Sequence, residues 1–206
     1  MRVALWGALV VSVVALSSCN SMSKEECAAA DWAIIGETDG ASGQNPQERF
    51  AAHVKSCARI KIVPDQTRWY QGYQVGVRRY CTPLNGLSRG EAGDAYYNVC
   101  PSELAGDFLR GYGIGQKAYS ARSRVSSLRD GISSKYTSIN NLYQQMSETQ
   151  DEQARRNIRN EIDRLDRDIR MSRLDQSDAE LALYSVQREV DAFRSAPGGP
   201  TVTQGY

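Results

Sequence analysis

IRNEIDRLDRDIRMSRLDQSDAELALYSVQREVDAF, residues 158–193, is the stretch of the chain that decides the fold. Alternating steps of four and three residues along it meet an apolar side chain at nine of eleven positions. This heptad spacing is typical of long helices that pack along a seam. The stretch holds neither glycine nor proline, so nothing in it interrupts a helix. The eleven positions are Ile158, Ile162, Leu165, Ile169, Ser172, Gln176, Ala179, Leu183, Val186, Val190 and Phe193.

A second seam precedes the first one along residues 114–146, where nine of ten positions at the same steps are apolar. We predict two helices, over residues 102 to about 146 and about 150 to 193, that pack as an antiparallel hairpin with arms ~65 Å long. One unbroken helix through residues 147–152, pairing as a dimeric coiled coil, is the alternative. The positions are Ile114, Ala118, Ala121, Val125, Leu128, Ile132, Lys135, Ile139, Leu142 and Met146.

The surface of the predicted hairpin is charged but balanced. Arg alternates with Asp or Glu at four-residue spacing, as in Glu152–Arg156, and each such pair stabilises a helix by ~0.2–0.5 kcal/mol. Because the signs balance locally, the surface is expected to face solvent and not nucleic acid. Ser102 and a capping box from Thr149 to Glu152 are predicted to begin the two helices. Three polar residues interrupt the seams and are typical of positions that fix register: Lys135, Ser172 and Gln176.

Residues 19–101 form a different region, rich in cysteine, glycine and tyrosine. Asn45 before Pro46 predicts the start of a helix, because Asn is a preferred N-cap and Pro suits the first helical position. Asp65 is predicted to cap the next helix. We therefore expect a small head of short helices ahead of the hairpin.

Weaker local signals fill in the rest of this head. Asn85 and Gly86 form a dipeptide that favours a turn. Ser88 with Glu91 predicts a capping box at the start of a further short helix. The segment Ile60–Val63 is the one strand candidate in the region.

An internal repeat places two glycines four residues apart on one face of a predicted helix. Glycine there costs ~1 kcal/mol of helix propensity relative to alanine, so a compensating contact is expected. We expect the close approach of a neighbouring backbone with aromatic rings beside it; a ligand cradle is the alternative. A phosphate loop is disfavoured because no strand precedes the glycines and no Lys-Ser/Thr follows them. The copies are Trp69-x-x-Gly72-Tyr73-x-x-Gly76-x-x-x-Tyr80, Phe108-x-x-Gly111-Tyr112-x-x-Gly115-x-x-x-Tyr119 and, more loosely, Trp32-x-x-x-Gly36-x-x-x-Gly40.

The N-terminal segment has the layout of a secretory signal peptide. Arg2 is followed by an apolar core from Val3 to Leu16 and small residues before Cys19. Leu-Ser-Ser-Cys resembles the bacterial lipobox, which predicts cleavage after residue 18 and a lipid on Cys19. A secreted protein cut near Ala15 is the alternative. The apolar run is too short for a membrane span, which needs ~20 residues.

Four cysteines remain in the predicted mature chain, which carries equal numbers of positive and negative side chains. An exported protein meets an oxidising compartment, so an even cysteine count predicts two disulfides. Of the three pairings, Cys27–Cys57 with Cys81–Cys100 is preferred because each closes a local loop. A zinc site is disfavoured because no two of these cysteines have metal-ligand spacing.

No constellation in the sequence predicts catalysis. His53 stands four residues before Cys57 on a predicted helix, a spacing that could pair a base with a nucleophile. A Cys57 held in a disulfide would not be nucleophilic, so this hypothesis is disfavoured. Asp31 and Asp39 are a conceivable carboxylate pair, although Asp39-Gly40 is more simply a helix end. We therefore expect no enzyme activity, no metal and no cofactor.

Eleven tyrosines are the remaining candidates for binding. Exposed aromatic rings would suit a glycan, and buried ones would fill a core that is short of Leu and Ile. The core is favoured because each ring buries ~150–250 Å².

Residues 31–40, 72–81 and 96–101 carry distinctive Trp, Gly, Tyr and Cys spacings. Together these three segments resemble an uncharacterised family of Gram-negative lipoproteins, known as a domain of unknown function. The resemblance covers roughly residues 20–120 and the lipobox. It implies a periplasmic lipoprotein and supplies no activity or catalytic residue. Asn20 after the predicted lipid site is similar to the class sent to the outer membrane, with the inner membrane less favoured. The segments are Asp31-Trp32-x-x-x-Gly36-x-x-Asp39-Gly40, Gly72-Tyr73-x-x-Gly76-x-x-x-Tyr80-Cys81 and Tyr96-Tyr97-x-x-Cys100-Pro101.

The sequence therefore predicts an all-α chain: a signal peptide (1–18), a disulfide-stapled helical head (19–101), a long antiparallel hairpin (102–195) and a disordered tail (196–206). The expected role is non-enzymatic, structural or protein-docking through the hairpin, on the periplasmic face of the outer membrane. The expected partners are the membrane, through the lipid, and an envelope protein or a second copy. A glycan-binding module that uses the aromatics of the head is the alternative.

Overall fold

The structure, a computed structural model, describes residues 22–197. Every regular element within that range is helical, which confirms the all-α prediction. The predicted signal peptide, Cys19 and residues 198–206 of the predicted tail lie outside the described residues. Within residues 22–197 no helix combines the length and the apolar character needed to cross a bilayer. The helices are α1 (Lys24–Ala28), α2 (Trp32–Ala41), α3 (Pro46–Cys57), α4 (Gln66–Tyr80), α5 (Pro83–Ala92), α6 (Ser102–Glu148) and α7 (Glu152–Ser195), with a 3₁₀ turn over Ala58–Ile60.

Two of the predicted helix starts are confirmed. The side chain of Asn45 accepts hydrogen bonds from the N–H groups of Gln47 and Glu48, and Pro46 is the first residue of α3. The side chain of Asp65 accepts from the first turn of α4. Both caps satisfy N–H groups that have no partner within the helix.

The local predictions around α5 are wrong. Asn85 and Gly86 lie inside this helix, which begins after Thr82, whose hydroxyl accepts the N–H of Asn85. Ser88 and Glu91 lie in its middle and last turn and cap nothing. The turn propensity of Asn-Gly is overridden because Gly86 lies at a tight helix contact.

Helices α2 and α4 pack in parallel with their backbones touching. A Cβ added at Gly36 would overlap the carbonyl of Trp69, and one at Gly72 would overlap that of Ala33. One turn further along, Gly40 and Gly76 make the equivalent contacts with the backbone of the facing helix. Glycine is required at all four positions because any side chain would push the helices apart.

Helices α5 and α6 repeat this packing. A Cβ at Gly86 would overlap the carbonyl of Phe108, and one at Gly111 would overlap that of Pro83. Gly90 and Gly115 form the second contact of the pair. The predicted close approach of backbones is therefore confirmed, and the sequence alignment of the α4 and α6 segments reflects equivalent helices in two copies of one unit.

The equivalence extends to side-chain hydrogen bonds. The Tyr73 hydroxyl donates to the carbonyl of Gln44, and the Tyr112 hydroxyl donates to that of Asp94, both at 2.6 Å. Each bond ties the second helix of a pair to the loop after the first. The chain between residues 31 and 119 is thus an internal duplication, α2/α4 followed by α5/α6.

The loop after the first helix of each pair turns at a left-handed glycine. Gly43 (φ 68°) lies against the ring of Tyr80, and Gly93 (φ 76°) lies against the ring of Tyr119. Positive φ and ring contact both exclude a side chain there. The same left-handed turn at glycine therefore follows the first helix in both copies.

Two disulfides staple the head. Cys27 pairs with Cys57 and Cys81 with Cys100, at Cα–Cα distances of 5.5 and 5.6 Å, which are the pairs favoured from the sequence. The first ties α1 to the end of α3, and the second ties the end of α4 to the residues before α6. The strand candidate Ile60–Val63 is instead the end of the 3₁₀ turn followed by irregular chain.

Helices α6 and α7 form the predicted antiparallel hairpin, and the alternative of one unbroken helix is wrong because residues 149–151 are not helical. Isoleucines from both seams are buried between the two helices. The Nζ of Lys135 donates to the Ser172 hydroxyl at 3.3 Å, so two of the predicted polar seam residues face each other. Lys117 Nζ donates to Glu189 at 3.0 Å and links the two helices nearer the head.

Both predicted caps of the hairpin are wrong. Helix α6 follows Pro101 with no side-chain cap, and Ser102 is its first helical residue. Helix α7 is capped by Asp151, whose carboxylate accepts the N–H of Gln153. Asp151 precedes the first helical residue directly, so it reaches those N–H groups where Thr149, two residues earlier, does not.

The hairpin and the head share α6. Its first turns pack on α5 as part of the second copy, and the end of α7 returns to this pair. Val190 and Phe193 of α7 are buried with Leu87 of α5 and Ala118 of α6. The packing of the head therefore extends into α6 as far as about Tyr119.

Replacing Gly111 with alanine tests the backbone contact. The added Cβ would overlap the Pro83 carbonyl, so we expect the free energy of unfolding to fall by about 1–3 kcal/mol. Urea unfolding of the disulfide-bonded chain, followed by far-ultraviolet circular dichroism, measures the change.

Gly113 is the matched control, two residues further along α6, because a Cβ there has no heavy atom within 4 Å. Gly113→Ala is expected to raise stability by up to about 1 kcal/mol through helix propensity. Equal effects of the two substitutions would contradict the tight contact.

Candidate functional site

An exposed apolar stripe runs along the outer face of α7. Four large side chains follow one another at steps of three, seven and three residues and are between 61% and 68% exposed. In the heptad frame of the seam they fall at the outward positions b, c and f, away from the positions of the buried Ile169 and Ala179. The stripe consists of Met171, Leu174, Leu181 and Tyr184.

A tyrosine of α6 contacts an arginine of α7. The guanidinium of Arg173 donates to the Tyr136 hydroxyl at 2.7 Å and lies 5.8 Å from the centre of its ring. Arg173 stands between Met171 and Leu174 in sequence, so this contact holds the Tyr136 ring beside α7. Single exposed leucines are ordinary, but large apolar side chains grouped on one face mark interaction surfaces.

The head contains a buried polar cluster centred on Asp39. This carboxylate is 4% exposed and lies in the last turn of α2. It accepts hydrogen bonds from Arg49 Nε at 2.7 Å and Trp69 Nε1 at 3.0 Å, and its Oδ2 lies 2.7 Å from His53 Nε2. Helices α2, α3 and α4 are therefore joined through one carboxylate.

The neighbours of Asp39 decide its charge. Burial acts to raise the pKa of Asp39, but hydrogen bonds from His53, Arg49 and Trp69 outweigh it and hold the pKa below its usual value. The group is thus an ionised carboxylate at neutral pH. Its hydrogen-bond partners satisfy it in place of water.

The structure separates the catalytic pairs considered from the sequence. Cys57 is bonded to Cys27, and His53 is 1% exposed and faces Asp39. The other carboxylate, Asp31, caps α2 with a half-exposed side chain and does not meet Asp39. No group of three or more His, Cys, Asp or Glu side chains within residues 22–197 could hold a metal ion.

Sequence reasoning missed Asp39 as a buried residue. His53 falls on the same face of α3 as Phe50 and Cys57, which points it inward, and an inward histidine needs a polar partner. Nothing local identified that partner, because Asp39 is fourteen residues away on another helix.

The buried carboxylate predicts a specific loss of stability in acid. With its pKa lowered on folding, Asp39 stabilises the fold above the unfolded value near 3.8, and this contribution is lost as the pH falls below it. Asp39→Asn leaves Arg49 and His53 without a charged partner and is expected to cost about 3 kcal/mol at pH 7. Urea unfolding from pH 7 to pH 2.5 should show this gap to wild type shrinking below pH ~3.8.

Asp31→Asn is the control for this series. Asn caps a helix about as well as Asp, so the variant should follow wild type over the whole pH range. A gap between Asp39→Asn and wild type that stays constant down to pH 2.5 would contradict an ionised Asp39.

A known protein family matches the duplicated head. Residues 31–117 match the model of a family of proteins of unknown function, DUF2799. The match begins at the cap of α2 and ends two residues after Gly115, the last glycine of the contact between α5 and α6. No curated protein and no solved structure matches the chain. A domain of unknown function thus covers both helix pairs of the head.

Proposed function

We propose that this chain is a lipid-anchored protein of the cell envelope whose hairpin docks another protein, without catalysis. The lipobox-like segment ending at Cys19 supports the anchor, and Asn20 after it supports a location on the periplasmic face of the outer membrane. The two disulfides of the head are typical of an oxidising compartment. The exposed stripe of α7 is the observation that carries the docking role.

The stripe provides apolar area that a partner could bury and a side-chain spacing that a partner helix could match. Full burial of one large apolar side chain is worth about 1.5–3 kcal/mol, so the three aliphatic side chains and the tyrosine ring of the stripe supply a useful binding energy. Their spacing suits a helix laid along α7 with its own apolar residues at three- and seven-residue steps. Arginines and acidic residues flank the stripe along α7 and would form the polar rim of the interface.

A photocrosslinking amino acid at position 174 or 181, in the living cell, tests the docking role. Both positions are expected to yield a discrete adduct of higher mass, identified by mass spectrometry. The double substitution Leu174→Asp/Leu181→Asp should reduce an adduct formed from position 184 at least about tenfold, because charge at a desolvated contact is costly.

Ser127→Asp/Ser134→Asp is the matched control, since both serines are exposed on α6 and also seven residues apart. This variant should leave the adduct unchanged. An adduct containing only this chain would identify the stripe as a self-association surface. Absence of any adduct from positions 174 and 181 in the folded protein would contradict docking on α7.

A second candidate function, glycan binding, rests on one shallow cavity in the head. Most rings of the head, including Trp69 and Tyr73, are buried in the core, but Tyr97 is 54% exposed. It borders a cavity of about 210 Å³ with polar walls, a combination that suits a sugar ring. The other lining residues are Gln44, Asn45, Glu48, Arg49 and Ala52.

Tyr97→Ala tests this candidate. If the ring stacks on a sugar, retention of the protein on purified peptidoglycan should fall about fivefold, since such contacts are worth roughly 1 kcal/mol. Tyr70→Ala is the control, because Tyr70 has a similar exposure of 51% and lies outside the cavity. Equal retention of wild type and both variants would contradict glycan binding at Tyr97.

A further inference from the structure

The first described residues, which lead into the head, lie against the end of α3. Met22 is 7% exposed, and its carbonyl accepts a hydrogen bond from Arg59 Nη2 at 2.7 Å. Five residues later Cys27 is bonded to Cys57, the last residue of α3. Both contacts hold the start of the head against the same short segment, residues 57–59.

Exposed side chains flank residues 57–59 in the chain. Val54 on the last turn of α3 is 41% exposed, and Val63 after the 3₁₀ turn is 86% exposed. The neighbouring Ile60 and Ile62 are partly buried and pack against the core, whereas the side chain of Val63 is exposed. Three exposed cationic residues lie between or beside the valines: Lys55, Arg59 and Lys61.

The charge of this region is positive in a chain that is close to neutral. Across residues 22–27 and 54–63 there are four cationic side chains and two carboxylates, Glu25 and Glu26. In the capping box of α1 the carboxylate of Glu26 accepts the backbone N–H of Ser23, and the Ser23 hydroxyl accepts the backbone N–H of Glu26. Apolar side chains interspersed with Lys and Arg are the composition of surfaces that lie on anionic bilayers.

We propose that this entry surface, formed by Val54, Lys55, Arg59, Lys61 and Val63, lies on an anionic lipid bilayer. The inference rests on the proposed acylation of Cys19. Two residues, Asn20 and Ser21, stand between Cys19 and Met22, and the three Cα–Cα steps of an extended chain span at most about 11 Å. A lipid on Cys19 therefore holds the entry surface at the headgroups, with the valines inserted and the lysines reaching phosphates.

A tryptophan at position 63 measures this contact in the full, acylated protein. The protein is reconstituted in vesicles of phosphatidylethanolamine and phosphatidylglycerol that include lipid with brominated acyl chains, which quench nearby tryptophan. Brominated lipid is expected to remove more than about half of the fluorescence that Val63→Trp adds over wild type, because interfacial side chains reach the acyl boundary. The native Trp32 and Trp69 are buried and are subtracted as background.

Tyr143→Trp, a half-exposed position near the far end of the hairpin, should show no quenching. Adding Lys55→Glu and Lys61→Glu to Val63→Trp should reduce the quenching about twofold, through loss of attraction to anionic lipid. Acylated, vesicle-bound protein in which position 63 is no more quenched than position 143 would overturn the entry surface alone. An intact mass without acyl chains on Cys19 would overturn both the anchor and the surface.

Discussion

Backbone contact at glycine is the constraint on which this structure depends. In each helix pair of the head, four glycines bring two parallel helices close enough for carbonyl oxygens to meet the facing backbone. Such an interface has no side chains between the helices, so it gains close packing but buries little apolar side-chain area. Large rings flank the contact and supply that area, as the stacked Trp69 and Tyr73 do in the first pair. Disulfides and aromatic rings thus take the place of the leucine core that is missing from the head.

The two copies share this constraint and differ in what surrounds it. Asp39 of the first copy corresponds to Arg89 of the second, and Trp69 corresponds to Phe108, which has no N–H to donate. The first copy has α3 between its two helices, and α3 supplies Arg49 and His53 to the buried carboxylate. The second copy is covered by the end of α7 instead. One unit is therefore completed by a polar network and the other by apolar packing.

The sequence predicted the features that depend on periodicity and missed those that depend on a partner elsewhere in the chain. The seams predicted the end of α6 and both ends of α7 to within about two residues, because an apolar stripe repeated over five turns or more fits only a long helix. Helix α5 was missed because Asn85-Gly86 favours a turn locally, and only the facing Phe108 backbone explains why Gly86 is helical. The environment of Asp39 was missed for the same reason. The residues of the stripe on α7 lie outside the seam positions, so the seam periodicity does not reveal the stripe.

Helix α6 connects the glycine contacts to the docking surface. It runs without interruption from Gly111 and Gly115 at the α5 contact to the buried Ile139 of the hairpin. Its direction is therefore set in the head, where close backbones leave no room to tilt. Helix α7 returns along it and ends on the same pair, so the hairpin is held at its base by both of its helices. Because α7 is held by its seam against α6, the outward direction of Leu174 and Leu181 follows from contacts made more than fifty residues earlier in the chain.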